Sequence, residues 1–182
     1  VPIFHSLYSF SVASSYISDD YFALMVPTEG NMDAGFKGLD IAVGRVLASS
    51  ITQAEQIVTK IIDYHDEKSY GKWRNNITMI SDDADKDSDV SLQIDVDVLS
   101  NNIYAQKPFM NVKKIHSDSY VQETTSGGQK YPKVRTDFVN SFSQGTLVVN
   151  YFGHGGEDGL AGERIFEKSD AISLFNRYKY PL

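Results

Sequence analysis

The chain has 182 residues, a formal net charge of -7, 41% hydrophobic and 12% aromatic content, and no cysteine. That composition can bury a core in one domain or two small ones. Scattered Lys and Arg under a negative balance argue against a nucleic-acid surface, and the missing cysteines exclude disulfides, thiolate metal sites and an internal thiol nucleophile.

VPIFHSLYSF at the start lacks the basic and apolar blocks of a signal peptide, and no later run approaches the roughly 20 apolar residues of a membrane helix. DYFALMV (20–26) and LDIAVGRV (39–46) are apolar runs of strand length, separated by the turn-forming PTEGNMDAG. In SSITQAEQIVTKIIDYH, residues Ala54, Ile57, Val58, Ile61 and Ile62 fall at helical spacing, and Ser50 with Gln53 fits a capping box. ITMI (77–80) reads as a short buried strand that empties into the acidic loop SDDADKDSD. Val90, Leu92, Ile94, Val96 and Val98 alternate as in a strand, yet Leu92, Val96, Leu99 and Ile103 also share one helical face. A helix here lets the strands on either side run parallel through an ordinary crossover, so helix is the expectation.

NVKKI (111–115) reads as a further strand. YPKVRTDFVNSFSQG reads as a helix with Pro132 near its start and Gly145 after its end. LVVNYF is again a strand, and EKSDAISLFNRYKYPL a short helix that breaks at Pro181. The resulting order predicts an α/β fold, a mostly parallel sheet flanked by helices on both faces. The helix at 50–65 links a first lobe over 1–70 to a second over 71–182.

In such sheets functional groups gather beyond the carboxyl ends of the strands, and His154, in GHGG, stands there. The flanking glycines permit a tight turn, and the amides of Gly155 and Gly156 are candidate donors to a developing oxyanion. A neutral imidazole there can take a proton from a nucleophile and return it to a leaving group. On the motif alone, Gly-His-Gly reads equally as a plain turn.

LVVNYFGHGGEDGLAGERIF resembles the histidine segment of the gingipain family of cysteine peptidases, in the caspase-like clan, where a strand ends in His-Gly and the next strand ends in the catalytic Cys. LDIAVGRVLASSITQAEQIVTKIIDYH resembles the strand and helix closing that family's first lobe, and WRNNITMISDDAD the opening of its second. DDYF, SYVQE and GGEDGLAGER are most similar to the PorU-type branch, the surface sortases of type IX secretion. The resemblance implies a caspase-like fold and a Cys-His acyl transfer with His154 as base and then acid. It also implies a fragment that stops before the catalytic Cys and is inactive by itself. A pseudo-enzyme with its cysteine replaced, or a non-catalytic binding or scaffolding module of a secretion complex, is the alternative. Implied partners are the C-terminal sorting domains of secreted cargo and other secretion-system components, at the bacterial outer-membrane surface.

Family members carry an acid that orients the histidine; Asp83 matches it best, with Asp82 next, against the alternative of a solvated acidic loop. The stretch holding Glu163 and Arg164 lines the active-site mouth in the PorU-like pattern, so both are candidate substrate contacts, or else an ordinary surface ion pair. Asp89 is a candidate for the pocket that reads the residue before the cut. No cofactor is expected; the DDADKDSD loop lacks the Gly and Glu of an EF-hand, which leaves an irregular structural calcium site open. His5, His65 and His116 have no partner at metal-ligand spacing.

Overall fold

The computed structural model describes residues 3–5, 17–26 and 38–182. The turn expected over PTEGNMDAG lies outside these residues. Two compact units, Val1–Ile57 and Val58–Leu182, divide the chain inside the linking helix.

In the first unit β1 (Phe4–His5) pairs antiparallel with β2 (Ile17–Ser18). The expected strands over 20–26 and 39–46 do not form. Asp20–Ala23 winds into a 3-10 turn, and 39–46 joins no sheet among the described residues. An apolar run forms a strand only when neighbours complete its ladder, and here a single backbone bond, from the Asp40 N–H to the Ala23 carbonyl at 3.1 Å, joins the two runs beside side-chain contacts. The Asp40 carboxylate accepts the Met25 N–H at 2.7 Å, and the Asp19 carboxylate is forked by Arg45, whose Nε lies 2.8 Å away.

The linking helix α1 (Ile51–His65) starts where Ser50 Oγ accepts the Gln53 N–H at 3.2 Å. Gln53 reaches back to the Ser49 N–H at 2.7 Å, so the reciprocal bond is displaced by one residue from a standard capping box. The end of α1 is tied to residues 69–74. The Arg74 guanidinium stacks over Tyr64 at 4.3 Å and Tyr70 at 4.2 Å, and the Trp73 indole N–H donates to the Ser69 carbonyl.

The second unit is built on three parallel strands in the order β4-β3-β7. β3 (Asn76–Ser81) is central, flanked by β4 (Asn111–His116) and β7 (Val148–Phe152). The ambiguous 90–106 segment is a helix, α2 (Val90–Gln106), and α3 (Pro132–Gln144) is the second crossover. Because the chain steps from β3 out to β4 and then back past β3 to β7, two crossovers of the same hand put α2 and α3 on opposite faces. The pleat sorts β3 accordingly. Ile77 and Met79 pack with Val96 of α2, whereas Ile80 packs with Ile115, Val134 and Phe138 on the α3 side. The α/β architecture expected from the sequence is the one observed.

α3 carries Pro132 at its start and ends at Gly145 with φ 93°. A Cβ at Gly145 would stand 2.7 Å from Trp73 Cβ, so that position needs glycine for both conformation and space. Two hairpins decorate the unit, β5 (Glu123–Thr125) with β6 (Gly128–Lys130) and β8 (Gly159–Leu160) with β9 (Phe166–Glu167). The last helix, α4 (Lys168–Ser173), is capped by Glu167 and Asp170 and ends well before Pro181, because Leu174 turns extended and Tyr178 takes φ 65°. Among the described residues no helix is long and apolar enough to cross a membrane.

Candidate active site

β3 and β7 are parallel neighbours with Ser81 opposite Phe152. The next residue of β3 extends the ladder, since the Asp82 N–H donates to the Phe152 carbonyl at 3.1 Å. That register brings the residue after β3 against the turn after β7. Asp82 Oδ2 accepts the backbone N–H of His154 at 2.8 Å and faces its Nδ1 at 3.1 Å. With the proton on Nδ1 the ring donates to this carboxylate, and Nε2 is then the nitrogen free to act as a base. The imidazole is 64% exposed while the Asp82 side chain is 3% exposed. A buried anchor thus holds an accessible base.

Gly153 makes this approach possible. A Cβ there would collide with Asp82 Cβ and with the Tyr151 hydroxyl. Tyr151 in turn donates to the His154 carbonyl at 2.6 Å, and the Ala161 N–H reaches the same oxygen at 2.9 Å. Burial and the neighbouring Asp82 charge both raise the Tyr151 phenol above its usual range, so it stays protonated as a donor.

Asp83 is engaged by a tyrosine rather than by the histidine. Its carboxylate accepts the Tyr131 hydroxyl at 3.2 Å, and its pKa is pushed up to about 6 by burial, then by Glu163, Asp85 and Asp82, against a lowering by its backbone hydrogen bond. Asp82, the second-ranked candidate, is the acid on the ring. Glu163, expected at the mouth, is instead 6% exposed and turned inward toward Asp82 and Asp83. Arg164 is on the surface with its guanidinium 3.6 Å from Glu167 and not on Glu163. Of the two glycine amides, Gly156 donates to the Gly159 carbonyl at 2.9 Å and is therefore spent on the hairpin turn. Gly155 remains the candidate oxyanion donor.

Asp89 precedes α2, and its carboxylate accepts the Ser88 hydroxyl at 3.0 Å. Beyond Asp82 and Asp83, the acidic loop adds no carboxylate to a cluster among the described residues. Among the described residues, the carboxylates that do cluster are Asp82, Asp83 and Glu163. His116 is held between Ser81 Oγ at 2.8 Å and Asp97 at 3.3 Å, a structural role. Sequence reasoning missed Tyr151 and Tyr131 and read Gly153 only as a turn residue; Tyr151 lies within the strand that opens the histidine motif, which is the available signal.

Comparison with known families matches residues 1–182 to the model of Peptidase family C25. No curated protein and no solved structure matches.

Proposed function

The chain belongs to peptidase family C25, and from that premise we propose that it carries the histidine half of a cysteine-peptidase centre, with His154 as general base and acid and Asp82 as the group that orients it. The observation that carries this reading is the double grip of buried Asp82 on the backbone and Nδ1 of an exposed His154. The 182 residues hold no cysteine, so this reading requires a thiol supplied from outside them. β7 is an edge strand of the described sheet, which leaves room beside it for a strand that presents the nucleophile.

In the proposed reaction the thiol gives its proton to His154 Nε2 and its sulfur bonds to a peptide carbonyl carbon. The imidazolium, stabilised by the Asp82 charge, returns the proton to the leaving amine as the C–N bond breaks. The resulting thioester passes to water or to an amine acceptor. The likeness of DDYF, SYVQE and GGEDGLAGER to the PorU-type branch supports a narrower role, cleavage of C-terminal sorting domains from secreted cargo at the cell surface with other secretion components as partners. The absence of cysteine favours one alternative, a binding module that keeps the fold without the chemistry.

The test uses the parent chain extended past Leu182. Covalent labelling by a thiol-directed peptide electrophile, abolished in His154→Ala, supports the peptidase reading. An inert extended chain assigns the binding-module role.

A further inference from the structure

Directly behind the Asp82–His154 pair lies a carboxylate cluster of which the proposed chemistry uses one member. Oxygens of Asp82, Asp83 and Glu163 lie within 4.8 Å of one another, and the three residues are 2%, 6% and 6% exposed. Asp82 commits Oδ2 to His154, but its Oδ1 is buried without a hydrogen-bond partner, and so is Glu163 Oε2. Buried acceptors with nothing to accept from are costly, and three adjacent anions repel each other as well. Among the described residues no Lys or Arg pairs with these carboxylates. The Lys130 ammonium binds the Glu163 backbone carbonyl at 3.2 Å, and Tyr131 supplies one hydrogen bond to Asp83. Neither satisfies the two orphaned oxygens.

We infer that this cluster binds a calcium ion. Calcium takes six to eight oxygens at about 2.3–2.6 Å, so ligands across one ion stand up to about 5 Å apart; the 4.8 Å spread places all three carboxylates on one coordination sphere. An all-carboxylate set suits a hard cation and offers none of the nitrogen or sulfur ligands that zinc prefers. The ion would take Asp82 through the oxygen that His154 leaves unused, and would tie the end of β3 to the Ala161–Ile165 turn that carries Glu163. The Asp82 carboxylate is then fixed from both sides. Binding by this chain does not depend on the peptidase reading, because it needs no thiol.

The test is calcium binding by the 182-residue chain after removal of divalent ions with EDTA. Addition of about 1 mM CaCl2 should raise Tm by about 3–6 °C. Terbium should show emission sensitised by Tyr131 and Tyr151, displaced by calcium. Glu163→Gln, which keeps the shape and removes one ligand charge, should weaken calcium binding at least about tenfold, and Asp83→Asn should do the same. An unchanged Tm without terbium emission overturns the proposal and leaves the cluster holding a proton instead. Equal calcium responses in wild type and both variants also overturn it, because the ion then sits elsewhere.

Discussion

Asp82 Oδ2 engages both the backbone N–H of His154, at 2.8 Å, and its Nδ1, at 3.1 Å. One buried oxygen therefore sets where the residue sits, which way the ring faces and which nitrogen carries the proton. Asp82→Ala should release the ring to the tautomer protonated at Nε2, read directly from the imidazole 15N shifts. In an extended chain that holds the thiol, the same change should lower the acylation rate roughly 100- to 10,000-fold. An unchanged tautomer would show that Asp82 does not orient the ring.

Gly153 and Gly156 flank the histidine segment but face different surroundings. A Cβ on Gly153 enters the space of Asp82 and Tyr151, while one on Gly156 meets nothing within 4 Å. Gly153→Ala should cost about 1–3 kcal/mol, as overpacking of a filled site does, with Tm down by about 2–4 °C per kcal/mol. Gly156→Ala should be within about 0.5 kcal/mol of wild type. Comparable Tm losses in the two variants would contradict the close approach at Gly153.

The residues that were legible in the sequence are those whose environment is set locally. Pro132 and Gly145 bracket α3 as expected, and His154 stands past β7 as its apolar run implied. The choice between Asp82 and Asp83 was not legible, because two adjacent carboxylates just past a strand end differ in sequence by nothing that aims one at the histidine, and only the pairing of Ser81 with Phe152 decides which one meets His154. Glu163 was misplaced for a similar reason. Its inward turn depends on Ala161 and Arg164 adopting φ 65° and 56°, which no propensity of those residues suggests. The runs at 20–26 and 39–46 carry strand composition, but a strand also needs a partner, and composition does not supply one.

The alternation in α2 that first suggested a strand leaves a testable trace. Val96 and Ser100 are buried against the sheet, whereas Ile94 and Val98 are exposed on the outer side of the helix. Val96→Ala should destabilise by about 1–3 kcal/mol through the lost methyls and the small cavity they leave. Val98→Glu should change stability by no more than about 0.5 kcal/mol. A strand at 90–98 would give the two valines similar burial and similar costs in chemical denaturation.

Phe138 is the aromatic hub between α3 and the hairpin after His154. It is 2% exposed, its ring lies 4.9 Å from Phe166 and 5.7 Å from Phe142, and it packs in the cluster that includes Ile80 and Ile115. Phe138→Ala should lose about 3–5 kcal/mol, enough to threaten folding of a domain of ordinary stability. Phe175 is 90% exposed, so Phe175→Ala should be near neutral. If the two variants melted together, α3 would not be anchored through Phe138.

Asp137 gives the acid side of the stability profile a defined contributor. Burial raises its pKa, but Lys133 at 3.2 Å, the Tyr120 hydroxyl at 3.1 Å and the nearby Lys113 outweigh that and hold it below the usual carboxylate value. A depressed folded pKa means that the unfolded chain binds the proton more readily. The stabilisation is therefore fully present above the unfolded value of about 4 and is lost as pH falls through the lower folded value. Part of the environment is solvent-exposed, so the contribution should stay below about 1 kcal/mol. Asp137→Asn should accordingly lower Tm slightly at neutral pH and converge with wild type under strongly acidic conditions. A gap between the two that persists unchanged below that range would mean that the carboxylate charge is not what Lys133 and Tyr120 stabilise.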